Sequence, residues 1–257
     1  MYTPEIPPEL GCRECADGTV LDFDFSMAFQ PIVDVSKRQI FAQEALARGL
    51  NNEPAANVFA QVNQNNLYRF DQVCRTKAIK LASELEMPTL LSINFMPNAV
   101  YQPERCLRTT LAAAQTYNFP LEQIMFEITE SEKVDDLPHL RNIVEHYRQC
   151  GFKTAIDDFG AGYAGLNLLS EIPADIVKLD MALVRSIDQD KTRQAIVRGV
   201  LQVCDELSTT VIAEGVETRE EWDTLQSLGV NLFQGFYFAK PAFEAQAKID
   251  SRVYDPG

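Results

Sequence analysis

Seven places along the chain carry side chains able to do chemistry together: Glu44, Asn94, Glu127, the pair Asp157-Asp158, Lys178, Glu214 and Gln234. Each stands at or near the C-terminal end of a short apolar run rich in β-branched and aromatic residues. Neighbouring places are 20 to 50 residues apart, mostly the length of one strand–helix unit. In a barrel of parallel strands such ends converge on one mouth, where active sites are built. That mouth would hold five carboxylates, two amides and one ammonium. A single acid at a strand end is commonly an ordinary cap; the alignment of all seven carries the argument.

Five anions at close range repel strongly unless some are protonated or cations sit among them. Oxygen donors with one lysine, and neither cysteine nor histidine, suit hard cations such as Mg²⁺ or Mn²⁺ better than Zn²⁺. The adjacent acids Asp157 and Asp158 suit two neighbouring ions, and two metals about 3.5–4 Å apart are a common device for phosphodiester hydrolysis.

The elements that must position these groups are legible in outline. Strands are expected at 27–34, 40–46, 90–95, 124–129, 154–158, 175–180, 210–214 and 231–237. Helices are expected near 55–69, 71–86, 103–117, 136–149, 191–207 and 219–228, with Asp71 and Pro103 at helix starts and Gly151 and Gly229 past helix ends. Alternating strands and helices give an α/β fold, and eight strands without a composition break favour a (β/α)8 TIM-like barrel. The first two strands have too few residues between them for a parallel crossover, so one antiparallel strand is expected at the barrel's start. No Gly-x-Gly-x-x-Gly follows the first strand, which weakens a dinucleotide-binding reading. Residues 1–25, polar and carrying Pro4, Pro7 and Pro8, are expected to be an N-terminal extension, with residues 26–257 forming the barrel.

The 257 residues carry 23 Lys and Arg against 37 Asp and Glu, a formal charge of −14. That balance argues against a nucleic-acid partner or an anionic membrane, both of which call for clustered positive charge. It leaves room for a phosphate-bearing ligand if metal ions intervene. No apolar run approaches the roughly 18 residues of a membrane span, and the first residues lack a signal-peptide pattern. The six cysteines read as reduced thiols of a cytoplasm-like compartment. Cys12-x-x-Cys15 is half of a zinc pattern, with no second pair near it. His139 and His146 read as surface residues and Trp222 as a helix anchor. Tyr68-Arg69-Phe70 fits core packing or a guanine face equally well.

Ordered motifs then reach a family. Glu44-Ala45-Leu46-Ala47-Arg48 resembles the signature of the EAL-domain cyclic di-GMP phosphodiesterases. Phe29-Gln30-Pro31-Ile32-Val33, Asn94 before Pro97, and Phe126-Glu127-Ile128-Thr129-Glu130 agree in order and spacing. So do Asp157-Asp158-Phe159-Gly160-Ala161-Gly162, Val177-Lys178-Leu179-Asp180, Ala213-Glu214-Gly215-Val216-Glu217 and Gln234-Gly235-Phe236. The resemblance spans roughly residues 25–245.

The resemblance implies a cytoplasmic, frequently homodimeric enzyme that hydrolyses cyclic di-GMP to linear pGpG with two divalent cations, Mg²⁺ or Mn²⁺. Carried over by position, Glu44, Asn94, Glu127, Asp157 and Asp158 would be metal ligands, with Glu44 also counted as catalytic. Lys178 would orient the water, and Glu214 would be a ligand or a general base. Arg48 would grip a phosphate, and Gln30, Leu46, Asp180, Glu217 and Gln234 would line the substrate pocket. Thr129 and Glu130 would support the loop after Asp158. Met96 stands where the family often has serine, and Ala161, Ala164 and Gly165 replace hydroxyl residues of that loop. A receptor that binds cyclic di-GMP without cleaving it, or a protein-interaction regulator, is the alternative. Retention of every expected ligand argues against it.

Overall fold

A computed structural model describes residues 21–97, 100, 102–129, 136–162 and 165–254. Strand β1 (Ser26–Asp34) turns through Arg38, at φ 52°, into β2 (Gln39–Arg48), and the two pair antiparallel as the short connection requires. The chain then runs α1 (Ala55–Phe59), α2 (Leu67–Glu84), β3 (Leu90–Phe95), α3 (Pro103–Thr116), β4 (Ile124–Thr129), α4 (Leu137–Gln149) and β5 (Lys153–Phe159). It continues through α5 (Gly165–Glu171), β6 (Ile176–Leu179), α6 (Met181–Val184), α7 (Lys191–Glu206), β7 (Thr210–Ala213), α8 (Arg219–Ser227), β8 (Leu232–Phe233) and β9 (Ala242–Phe243). Strands β2 to β8 pair parallel in sequence order, and β1 closes the ring antiparallel to both β2 and β8. The expected (β/α)8 TIM-like barrel with one antiparallel strand is therefore present. The extra strand β9 pairs with β1 at Ala28 and Phe29.

The barrel interior explains how one mouth collects its polar residues. An apolar floor is made by Ile32, Ala42, Met125, Ala155, Ile176, Ile212 and Leu232. Side chains on a strand return to the same face every second residue. Two positions beyond the floor residue, on each of the parallel strands or just past its end, lie Glu44, Glu127, Asp157, Lys178, Glu214 and Gln234. On reversed β1 the same step runs backward, from Ile32 to Gln30. On β3 the step from Ser92 reaches Asn94.

Outside the barrel the strands' other faces pack under the helices. Here Asp71 departs from expectation. It lies inside α2 rather than at a helix start, and the break between helices falls at residues 60–66. Asn66 bonds the Asn63 amide and the Gln61 carbonyl, satisfying a turn locally. Asp71 is drawn into the helix by Arg75 one turn on, at 2.7 Å, both side chains being fully buried. Arg75 also donates to the Tyr147 hydroxyl at 2.9 Å and faces the rings of Phe95 and Phe126. Asp71 Oδ1 accepts from the Met96 amide at 3.2 Å, so the buried Asp71–Arg75 pair anchors the segment just past Asn94. Arg75→Met should lower stability by about 3–5 kcal/mol, because it strands a buried carboxylate. The double variant with Asp71→Leu should recover most of that loss in urea unfolding.

Strand β8 is shorter than expected because the chain leaves the sheet at Gln234. A Cβ on Gly235 would stand 2.0 Å from the Val216 carbonyl oxygen, so the backbone must pass that loop closely. Phe70 packs with Phe25 and Phe59, which favours the core reading of its segment. Trp222 is buried against Phe238 and Tyr237, an anchor as expected. His139 and His146 are half-buried rather than exposed, and His139 Nε2 lies 2.6 Å from the Val100 carbonyl oxygen. Among the described residues, Cys74, Cys106, Cys150 and Cys204 form no disulfide. Cys12 and Cys15 lie outside the described residues. Among the described residues, no helix is long and apolar enough to cross a membrane.

Candidate active site

Lys178 is the centre of the mouth. Its side chain is 1% exposed, and its Nζ lies 2.5 Å from Glu214 Oε1, 2.8 Å from Glu127 Oε2, 2.9 Å from Asp157 Oδ1 and 3.7 Å from Glu44 Oε2. Strands β2, β4 and β5 and the segment just past β7 thus aim their carboxylates at one ammonium. A second string of bonds runs round the rim. Asn94 Nδ2 donates to Glu44 Oε1 at 2.8 Å, Gln234 Nε2 donates to Glu44 Oε2 at 2.6 Å, and Gln234 approaches Gln30 Oε1 at 3.4 Å. Ser92, which the sequence reading passed over, donates to Glu127 Oε1 at 2.5 Å. Its signal was available: it stands two residues before Asn94 on the same strand face.

Asp158 needs a different explanation. Adjacent residues on a regular strand point to opposite faces, so Asp157 and Asp158 cannot both face the mouth from an undistorted β5. The β5–β6 register shifts between Ile156 and Phe159, and Asp158 takes φ 55°. A bulge with a left-handed residue turns the second carboxylate round. Ligand oxygens of Asp157, Asp158 and Glu214 then lie within 4.8 Å of one another. Such conformations cost about 1–3 kcal/mol for a residue other than glycine and persist where surrounding structure holds them.

The electrostatics favour a cation. Five carboxylates against one ammonium leave a formal charge of −4, which two divalent ions match. Burial, with Glu44 and Asp157 adding repulsion, pushes Glu127 well above the usual carboxylate range despite the opposing pull of Lys178. Enclosure does the same to Glu214, where Lys178 opposes and Asp157, Glu44 and Glu127 add repulsion. Burial alone would lower Lys178; Asp157, Glu127, Glu214 and Glu44 together hold it well above the ordinary lysine value. Asp157 Oδ1 is buried with no hydrogen-bond donor aligned on it, only the nearby Lys178 charge. An orphaned carboxylate oxygen beside two further acids fits the coordination habits of Mg²⁺ and Mn²⁺.

The other expected residues are placed as follows. Leu46 lines a cavity of about 440 Å³ together with Glu44, Asn94, Asp157 and Asp158, and Phe59, Phe70, Cys74 and Met96 add an apolar wall. Arg48 is half-buried at the end of β2, with Nη1 donating to the Ala47 carbonyl at 2.7 Å. Burial lowers its pKa while Glu44 opposes, and guanidinium remains charged in any case. Asp180 is engaged in capping α6, accepting from the Ala182 amide. Glu217 is engaged with Arg185 in a two-bond fork at 2.7 and 2.9 Å. Asp180 and Glu217 are thus committed to local partners and are not drawn into the Lys178 cluster. Thr129 ends β4, its backbone in register with Asp157. Glu130 and Ala164 lie outside the described residues.

Comparison with known proteins agrees with this fold. A standalone versatile EAL protein from Vibrio cholerae, solved in a c-di-GMP bound form, is 53% identical with a TM-score of 0.89 and covers 92% of this chain and 100% of its own. The blue light- and temperature-regulated antirepressor BluF of Escherichia coli is 33% identical over 92% of this chain. The cyclic di-GMP phosphodiesterase PdeB of Shewanella oneidensis is 31% identical over 63% of it. The chain spans 61% of the length of BluF and 19% of PdeB. Residues 19–241 match the EAL domain, and the chain therefore belongs to the EAL domain family.

Proposed function

We propose that this chain hydrolyses one phosphodiester of cyclic di-GMP to give linear pGpG, using two divalent cations, Mg²⁺ or Mn²⁺. The observation that carries the reading is the convergence of five carboxylates, Asn94 and buried Lys178 at one barrel mouth beside an open cavity. The names of the relatives support the substrate: one is a cyclic di-GMP phosphodiesterase, and another was solved with c-di-GMP bound.

Glu44, Asn94, Glu127, Asp157, Asp158 and Glu214 would hold the ions. The grouping of Glu214 with Asp157 and Asp158 favours its ligand role over that of a free base. When bound, such cations lower the pKa of a water and offset charge on the attacking and leaving oxygens. The chain's own groups do the rest. Lys178, at the centre of the cluster, would orient the nucleophilic water once cations draw the carboxylates from it. Arg48 would grip a phosphate with parallel donors. Leu46 and the apolar wall shelter the nucleotide from bulk water. Glu44 is fixed by two amide donors, so Glu44→Ala should abolish turnover by releasing both the ligand and its supports.

Glu127 and Glu214 hold protons more tightly than ordinary carboxylates, and a cation must displace those protons. Mn²⁺ affinity should therefore go on rising with pH above the ordinary carboxylate range. Titration calorimetry in buffers of different ionisation enthalpy should show proton release on binding. A flat affinity between acidic and neutral pH would contradict this ligand set.

Chromatography after incubation of cyclic di-GMP with the pure protein and Mg²⁺ should show pGpG. No product with either Mg²⁺ or Mn²⁺ would overturn the reading in favour of a receptor or of a regulator resembling BluF.

A further inference from the structure

Glu221 lies in the first turn of α8 and is 1% exposed. Its Oε1 accepts from the Ser186 amide at 2.9 Å, and its Oε2 accepts from the amides of Glu217 at 2.9 Å and Thr218 at 3.2 Å. The Thr218 bond, returned by Glu221 N to Thr218 Oγ1 at 3.2 Å, is an ordinary capping box. The other two bonds exceed what a helix cap requires. They reach the segments that follow β6, the strand of Lys178, and β7, after which Glu214 stands.

Both segments need holding. Ser186 sits at φ 54°, a left-handed conformation that a non-glycine residue keeps only where its surroundings enforce it. The Glu214 segment is tied at each step. Glu214 N donates to the Leu179 carbonyl at 3.1 Å, Val216 N to the Gln234 carbonyl at 3.1 Å, and Tyr237 N to the Val216 carbonyl at 3.0 Å. At Gly215 a Cβ would stand 2.6 Å from Met181 Cβ, so the two segments touch there as well. Glu221 supplies the remaining backbone ties, at the Glu217 and Thr218 amides, beside the more exposed Arg185–Glu217 side-chain fork that joins the same two segments. A buried carboxylate shared among three amides makes strong, charge-assisted bonds.

We infer that Glu221 is a positioning residue that clamps the segments after β6 and β7 together and so fixes Glu214 against Lys178. The inference rests on the proposed hydrolysis at this mouth. It assigns Glu221 no contact with substrate or metal.

The test compares Glu221→Ala with Thr218→Val in the full chain. Thr218→Val removes the other half of the capping box and leaves the Ser186 and Glu217 bonds in place. Glu221→Ala should lower kcat by about tenfold or more with little change in KM, because small misplacements of reacting groups are costly. Thr218→Val should lose thermal stability but keep kcat. Equal losses of melting temperature with wild-type kcat in both would overturn the clamp. Should Glu221→Ala not fold, Glu221→Gln, which turns a donor toward an amide, carries the same expectation, and full kcat in it overturns the inference. If wild-type protein itself shows no turnover, the hydrolytic reading fails separately. The clamp is then read from hydrogen exchange at the Ser186 and Glu217 amides. Exchange should quicken in Glu221→Ala and not in Thr218→Val; unchanged protection overturns the clamp.

Discussion

Lys178→Met should leave a protein that is both inactive and markedly less stable without metal. Methionine keeps the apolar stem and most of the length of lysine and removes the charged amine with its three donors. Four carboxylates now within 3.7 Å of the ammonium would then face one another in a closed barrel. Removing one partner from a buried ionic cluster costs about 3–5 kcal/mol. For a chain of this size that is on the order of 10 °C in melting temperature. The sign with pH follows from the same groups. Glu127 and Glu214 already hold their protons above the normal carboxylate range, so the variant's loss should shrink as pH falls and those acids neutralise. Excess Mn²⁺ should restore much of the melting temperature, because a cation replaces the missing charge. It should not restore turnover, which needs a donor at the water. A drop of about a thousandfold in kcat corresponds to about 4 kcal/mol of lost transition-state stabilisation. Thermal melts with EDTA and with Mn²⁺, beside a rate assay, separate the two effects.

Asp157→Asn should do the opposite to stability while also ending turnover. Asp157 raises the proton affinity of both Glu127 and Glu214 by repulsion, so neutralising it relieves the metal-free cluster. Its Oδ1 has no hydrogen-bond donor to lose, although its attraction to Lys178 at 2.9 Å is weakened. The metal-free melting temperature should therefore stay the same or rise. Mn²⁺ affinity should fall at least about tenfold, since an amide is a weaker ligand than a carboxylate and Asp157 belongs to the tightest acidic group at the mouth. Turnover should fall about a thousandfold or more as the ions lose their placement. A variant that kept both its metal affinity and its rate would remove Asp157 from the ligand set.

The strand ends were legible because two simple rules act together. The short β1–β2 connection forces a hairpin, and alternation along every barrel strand but β3 places a polar residue two steps from an apolar floor residue. Pairs such as Met125 with Glu127 and Ile176 with Lys178 can be read directly from the chain. Asp158 obeys neither rule: alternation sends it away from the mouth, and only a bulge with a left-handed residue brings it back. Asp71 misled because acids favour helix starts, whereas here a buried arginine one turn later holds it mid-helix. The two-residue strand β9, the four-residue α6 and the seven-residue α5 are too short to build a periodic signal. Asp180 and Glu217 are expected on the pocket by resemblance; their local partners, a helix cap and Arg185, are ones that no spacing rule reveals.

The central claim is that cations held at this mouth let the chain cut cyclic di-GMP. Metal-stripped protein should be incubated with cyclic di-GMP in EDTA, then with Mn²⁺ added back stepwise, and the nucleotides separated by chromatography. No product should form in EDTA, and linear pGpG should appear as Mn²⁺ is restored. Cleavage at an undiminished rate in EDTA, or tight nucleotide binding with no cleavage at any Mn²⁺ level, would contradict it.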